Sequence, residues 1–283
     1  MVERVKISQG GIIDTFIMLD GIAEVLGNTS FLWPFLESHN GALTPVQSYS
    51  PGSLTFPVLN LTPSDEAAAL ALESEFAPFK HVGGIHSYYF GGPTPNNHLN
   101  GADHASLSFG DGTVDTPFSV GCWIKPDSLA TAVSLIAKYD AGVGVAREWN
   151  FGFNTSGRLT FELYDESADA TEIATQPAGN DMVVNRWYHA VATYDGNEVS
   201  PVVTFYLNNV VVSTAGGPST ETGAYVAMEN LATPITIGCD GLTGVPRQEF
   251  TGRLALPFVC PQALDAGEVA KVYKISRAIL GIG

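Results

Sequence analysis

Positive charge is what this sequence has least of: 13 Lys and Arg stand against 29 Asp and Glu, a formal net charge of −16 over 283 residues. A chain so acidic repels phosphate backbones, and its Lys and Arg are scattered singly, so nucleic acid is excluded as an expected partner. Long apolar runs are missing as well. No stretch reaches the ~18–20 residues that a membrane-spanning helix needs, so no membrane span is expected. The opening MVERVKISQGG has neither the basic-then-apolar layout nor the cleavage site of a secretory signal. Cysteine is scarce: Cys122, Cys239 and Cys260 are the only 3, and their spacing fits no metal site. Each shares an apolar strand phase with its neighbours (Cys122 with Val120 and Ile124, for example), so buried free thiols are expected. Synthesis in a reducing cytoplasm follows, and the N-x-S/T triplets at Asn28, Asn60 and Asn154 are then uninformative. No G-x-S-x-G, H-E-x-x-H or phosphate-binding glycine loop occurs.

What is present is patterned for sheets. Hydrophobic residues make up 45% and charged residues 15%, with 30 Gly and 17 Pro in no repeat period, the composition of a folded chain rich in turns. The clearest stretch is 185–212, NRWYHAVATYDGNEVSPVVTFYLNNVVV. Trp187, His189, Val191 and Thr193 alternate with Tyr188, Ala190, Ala192 and Tyr194, the period of a pleated strand. Asp195-Gly196 ends that strand in a turn. A second run puts Val203, Phe205 and Leu207 on one face, and Asn208-Asn209 turns the chain again. Strands this aromatic and β-branched need a second sheet to cover them, which predicts a β-sandwich with Trp187, Val191, Phe205 and Leu207 in its core. Trp123 and Trp149 are assigned to the core on the same ground, and His189 is read as a packed histidine bonded to backbone.

WYHAVATYDG, the strand ending YLNNVVV, FSVGCWIKPDS at 118–128 and FTGRLALPFVCPQALDAGEVAKVY together resemble the laminin-G-like group of concanavalin A-like lectin folds. The resemblance covers roughly the C-terminal two thirds of the chain. It implies an all-β, two-sheet antiparallel jelly-roll sandwich that binds glycans or proteins, and it implies no reaction. FGDGTVDTPFSV, REWNFGF and GAYVAMEN before TPITIG resemble domains of bacteriophage and marine microbial proteins. The expectation is therefore a non-catalytic virion-surface decoration protein, assembled with other virion proteins, oligomeric, and able to touch cell-surface glycans. A free lectin-like protein and a divergent glycan hydrolase are the alternatives.

In chain order, residues 1–28 read as a helical N-terminal arm ahead of a jelly roll at 29–283. After VERVKI and Gly10-Gly11, Asp14 starts a helix to Leu26 with an apolar stripe of Phe16, Leu19, Ile22, Ala23 and Leu26, which either packs on the outside of its own sandwich or, the preferred reading, docks on a neighbouring subunit. FLWPFLES is the first strand, with Pro34 marking an edge or bulge. Thr62-Pro63-Ser64-Asp65 has the signature of a helix start and predicts an inserted helix running to Pro78. Strands follow at 86–90, 106–109, 118–125, 135–139, REWNFGF, RLTFELYD, 234–239 and 253–260. Residues 166–181 and 216–229 read as long loops, and 266–275 as a closing helix.

Chemistry is thin. Glycosidases on related folds carry E-x-D-x-E on one strand; here Glu162-Leu163-Tyr164-Asp165-Glu166 puts Asp165 on the opposite face from Glu162 and Glu166, and the signature fails. His81, His86, His98 and His104 match no zinc spacing. Calcium is weighed because relatives hold it at a sheet rim. The acidic positions that the resemblance implies fall on Gly91 and Ala255, so no metal or other cofactor is expected, with Asp111, Asp115, Asp140 and Asp195 left as loop oxygens for a displaced site. Tyr164, Asp165, Glu166, Tyr225 and Glu229 are the candidate ligand residues, because rings stack on sugar faces and carboxylates accept hydroxyl hydrogens.

Overall fold

A computed structural model of the chain describes residues 15–36, 48–49, 51, 57–63, 72–73, 85–91, 98–142, 145–198, 203–212, 219–241 and 247–282. Helix α1 (Thr15–Leu26) comes first, followed by short strands β1 (Phe31–Leu32), β2 (Phe35–Leu36), β3 (Thr62–Pro63) and β4 (Leu72–Glu73). Then come β5 (Ile85–Phe90), β6 (Leu99–Gly101), β7 (Phe118–Pro126), β8 (Val133–Asp140), β9 (Ala146–Phe153), β10 (Leu159–Asp165) and β11 (Ala170–Thr175). The chain continues through β12 (Tyr188–Tyr194), β13 (Val203–Leu207), β14 (Val210–Val211), β15 (Ser219–Thr222), β16 (Ile235–Ile237) and β17 (Gly252–Cys260), and ends in α2 (Ala266–Leu280).

These strands make two antiparallel sheets. One has 9 strands along β14-β13-β12-β7-β17-β5-β2, with β1 on β17 and β4 on β5; the other has 8, in the order β15-β11-β10-β9-β8-β16-β6-β3. Their inner faces close one aromatic core. Phe118, Val120, Cys122 and Ile124 from β7 and Tyr188, Ala190, Ala192 and Tyr194 from β12 meet Trp149, Phe151 and Phe153 from β9 and Phe161 and Leu163 from β10. Phe109 stacks on Phe118 with ring centroids 4.0 Å apart, at the centre of that layer. The all-β jelly-roll expectation holds.

A second apolar layer lies outside the first sheet. Val191, Tyr206, Ala255, Leu256, Phe258 and Cys260 point outward and are covered by Leu19, Ile22, Ala23 and Leu26 of α1 and by Val269, Val272 and Leu280 of α2. Trp123 ties sheet to helix: its indole Nε1 donates to Ser276 Oγ at 2.8 Å and its ring stacks on Tyr273. Asp265 caps α2 reciprocally with Glu268, and Gly281 ends it in the left-handed conformation. Of the two readings of the arm, this layer matches packing on the chain's own sandwich rather than docking through the stripe. The described part of the α1 stripe is buried within its own chain, because both faces of β7, β12 and β17 are apolar and need cover; the Phe16 side chain lies outside the described residues.

The same layer corrects the strand phase. Val191 lies under the helices while Phe205 and Leu207 face the inter-sheet core, and Trp187 is only half-buried. Alternation located the strand but could not choose its inner face, since the small Ala190 and Ala192 sit inside. His189 is buried between Trp123 and Tyr273, and burial lowers its pKa to about 3. Its Nδ1 has no partner among the described residues, so the expected side-chain bond to backbone is not seen at that atom.

Several elements differ from expectation. Thr62–Pro63 pairs with β6 and Leu72–Glu73 with β5, so the predicted helix is not formed at those residues; 64–71 and 74–78 lie outside the described residues. An edge strand suits Pro63, which lacks a donor for a further ladder. The 166–181 and 216–229 loops contain β11 and β15, which pair with each other, β11 also pairing with β10. Their short, polar side chains hide the alternation. Residues 105–107 form a 3-10 turn instead of a strand, capped by His104 Nδ1 accepting from Ser106 N. Pro34 does break the first strand, leaving β1 on β17 and β2 on β5. VERVKI and His81 lie outside the described residues.

Candidate functional site

Helices close the outer face of the first sheet, whereas among the described residues no helix packs on the outer face of the second. That open face is organised by a bulge. Lys138 pairs with Trp149 and Tyr139 with Arg147, which leaves Glu148 as an extra residue in β9. Glu148 is buried, with its Oε1 accepting from Lys138 Nζ and, at 2.9 Å, from Leu231 N. The shift brings Arg147 level with Tyr139, on the same face as Tyr164 of β10.

There the Arg147 guanidinium lies 3.6 Å above the Tyr164 ring and forms a bidentate pair with Glu166, Nε to Oε2 at 2.7 Å and NH2 to Oε1 at 2.7 Å. Its NH2 also reaches Asp169 Oδ1 at 3.0 Å, and the Tyr164 hydroxyl donates to the same Asp169 oxygen. Burial, with the Asp169 hydrogen bond adding, pushes the Tyr164 hydroxyl up to about 12. Tyr139 meets Tyr164 edge to face, centroids 6.1 Å apart. Glu162 stands two residues before Tyr164 on the same face, half-buried. Burial raises its pKa, the negative charge of Asp240 adds to that, and Arg147, Tyr139 and Arg247 oppose it.

A turn after β16 walls this face. Gly238 N donates to Leu135 O and Gly241 N to Tyr139 O, while Asp240 and Arg247 exchange backbone hydrogen bonds. Arg247, 53% exposed, holds the enclosed Asp240 Oδ2 at 3.2 Å, and Asp240 Oδ1 has no partner among the described residues.

The candidate ligand residues from the sequence converge on the adjoining end of the sandwich, but most hold loops together. Asp165 is buried, accepting from Val226 N, Ser167 Oγ and Ala168 N at 3.0 Å each. Glu229 receives Glu166 N at 2.8 Å and Ser167 N at 2.9 Å. Tyr225 donates to Asp115 Oδ2 at 2.6 Å, beside Tyr194 at 2.8 Å, with Met228 N on the other Asp115 oxygen. Tyr164 and Glu166 border the open face, yet the Tyr164 ring is covered by Arg147 and is no free stacking platform. Sequence reasoning missed Tyr139, Arg147 and Arg247. The two-residue step from Glu162 to Tyr164 was the one signal that pointed here.

The loop carboxylates named for calcium are taken by the protein itself. Asp115 is the buried hub just described, Asp111 accepts from Thr113 and Val114, Asp140 from Gly142 N at 2.8 Å and Asp195 from Asn197 N at 3.2 Å. Ala255 lies in the apolar layer under the helices, and the Tyr89 ring fills the space a side chain at Gly91 would need. Among the described residues no group of His, Cys, Asp and Glu is arranged to hold a metal ion, so the residues do not fit a family-type calcium site.

A family model described as the Concanavalin A-like lectin/glucanases superfamily matches residues 99–270. The chain belongs to that superfamily. No curated protein sequence matches it. Among solved structures, the binding domain of Paraclostridial Mosquitocidal Protein 1 superposes with a TM-score of 0.59 at 14% identity, covering 89% of this chain and 52% of that one. The chain thus spans about half the length of that domain. Domain 4 of AbnA, a GH43 extracellular arabinanase from Geobacillus stearothermophilus, in complex with arabinotriose, gives 0.52 at 16% identity over 87% of this chain and 98% of that one. Trypanosoma rangeli sialidase gives 0.52 at 11% identity over 89% of this chain and 33% of that one. At these identities the superfamily member shares their fold.

Proposed function

We propose that this superfamily member is a non-catalytic glycan-binding module whose ligand rests on the outer face of the second sheet, against Glu162 and Arg247 and above the Tyr139–Tyr164–Arg147 floor. The observation that carries this reading is the contrast between the two outer faces. One is sealed by α1 and α2, while the other presents guanidinium and carboxylate groups over buried tyrosine rings. Over a rigid floor of buried tyrosine rings, the hydrogen-bonding side chains at its rim suit the hydroxyls of a sugar. The arabinanase domain in complex with arabinotriose supports a sugar ligand for this fold. Hydrolysis is disfavoured because it needs two carboxylates across the scissile bond. Asp165 is saturated by loop hydrogen bonds, Glu166 is held by Arg147, and Asp240 is enclosed, leaving Glu162.

Screening the protein on a glycan array, with Glu162→Ala beside it and Val210→Ala on the far sheet edge as a control, tests the reading. Expected is retention of a defined set of glycans, lost by roughly tenfold or more in Glu162→Ala and kept in Val210→Ala. Equal retention by both variants would place the ligand elsewhere.

The setting we propose is a virion surface after synthesis in host cytoplasm, on the resemblance of FGDGTVDTPFSV, REWNFGF and GAYVAMEN to phage domains. The α1 stripe is closed inside its own chain, so attachment there needs a different surface. Co-purification with virus particles tests it, and recovery only as free protein would favour the lectin alternative.

A further inference from the structure

Building on the glycan-binding reading, we infer that this face selects sugars presenting hydroxyl or ammonium donors and rejects sugars bearing a carboxylate. Much of the positive charge on this face is already matched. Arg147 gives Nε and NH2 to Glu166 and NH2 also to Asp169, while its flat face is covered by the Tyr164 ring. Arg247 is held on Asp240 by one contact at 3.2 Å, and a carboxylate brought to its exposed side would meet the like charges of Asp240 and Glu162 beside it. Lys138, the remaining cation of β8, is enclosed with Glu148 and Asp103. Against these stand Glu162, half-buried, and Asp240, whose Oδ1 is unpartnered among the described residues, with Asp140 buried nearby at the end of β8. Carboxylates outnumber guanidiniums across the face, and the net charge of −16 carries the same sign.

An ionised carboxylate is an acceptor only, so Glu162 is suited to hydroxyl or ammonium donors. A sugar carboxylate set down over it would meet like charge. To be received by Arg147 it would have to displace Glu166 or Asp169, which already supply the geometry that a guanidinium prefers. Discrimination of this kind comes from the repulsive element as much as from the attractive one.

The probes are matched oligosaccharides on one array: lactose with sialyllactose, and N-acetylated with de-acetylated chitotriose. Expected is binding to neutral or amino members, with the sialylated member retained about tenfold less or weaker. Sialyllactose bound as well as lactose, or better, would overturn the inference while leaving the glycan-binding reading standing. Silence on every probe and every other glycan of the array would remove that reading and the inference with it. Glu162→Gln and Asp169→Asn separate charge from shape. With thermal melts confirming the fold, each is expected to narrow the neutral-to-sialylated ratio by a few-fold at low salt. A ratio unchanged in both would overturn the assignment of selectivity to these carboxylates.

Discussion

Lys138 and Glu148 are both fully enclosed, and the way they are satisfied is unequal. Lys138 Nζ reaches Glu148, Asp103 at 2.8 Å and the Leu231 carbonyl at 2.8 Å. Glu148 gathers its contacts on Oε1 and leaves Oε2 without a partner among the described residues. Burial raises Glu148 from 4.5 to about 7, although Lys138 pulls the other way. A carboxyl raised on folding favours the folded state when protonated, so this contribution is full below about 4.5 and is lost as pH rises through about 7. Lys138→Met strands the carboxylate and is expected to cost about 3–5 kcal/mol above neutral pH. Glu148→Gln should cost less, since Lys138 keeps Asp103 and Leu231, and it should flatten the pH dependence of stability below neutrality. The double variant should recover part of the Lys138→Met loss. Denaturant melts of the three variants across pH decide the matter; additive losses would mean the pair is not coupled. None of this was legible in LIAKYD or REWNF, where alternation shows strands and hides the bulge that turns Glu148 inward. Glu162 and Tyr164 were within reach of alternation alone, whereas Arg147 was not.

At the scale of elements, boundaries were far more legible than partners. The helix expected over 14–26 is found at Thr15–Leu26, and the last strand expected at 253–260 is Gly252–Cys260. Which face each element turns inward is a property of what lies opposite, and short-range pattern does not contain it. The helix predicted from Thr62 shows the same limit. Capping chemistry is local, but Thr62–Pro63 pairs with Leu99 and Asn100, far along the chain. For α1 the consequence is testable. Leu19, Ile22 and Leu26 are at most 1% exposed, and each such side chain stabilises by about 1.5–3 kcal/mol. Deleting residues 1–28 therefore removes cover from Val191, Leu256 and Phe258 and is expected to lower stability by at least about 3 kcal/mol and to promote aggregation. A truncated chain that melts like the full one and does not aggregate would restore the reading of a separable arm.

The whole molecule carries −16 charges on a fold in which Lys138, Arg147, Arg158, Arg247 and Arg253 are committed to ion pairs. Self-repulsion of that kind opposes compactness and is relieved by salt. Raising NaCl from about 10 mM to about 150 mM shortens the screening length from about 30 Å to about 8 Å, so Tm is expected to rise across that range. Exposed pairs such as Arg158–Asp181 weaken over the same interval, but surface pairs contribute about 1 kcal/mol or less. Calcium separates screening from site binding. Asp111, Asp115, Asp140 and Asp195 accept hydrogen bonds from the protein itself, so no ready-made oxygen cage awaits the ion among them. CaCl2 at matched ionic strength should therefore reproduce the NaCl curve, and EDTA should leave it unchanged. A specific site would act by mass action on the native state, lifting Tm at calcium concentrations far too low to screen anything. Such a lift, reversed by chelator, would mean that these carboxylates give up their own hydrogen bonds to the ion or that residues outside this set supply the ligands.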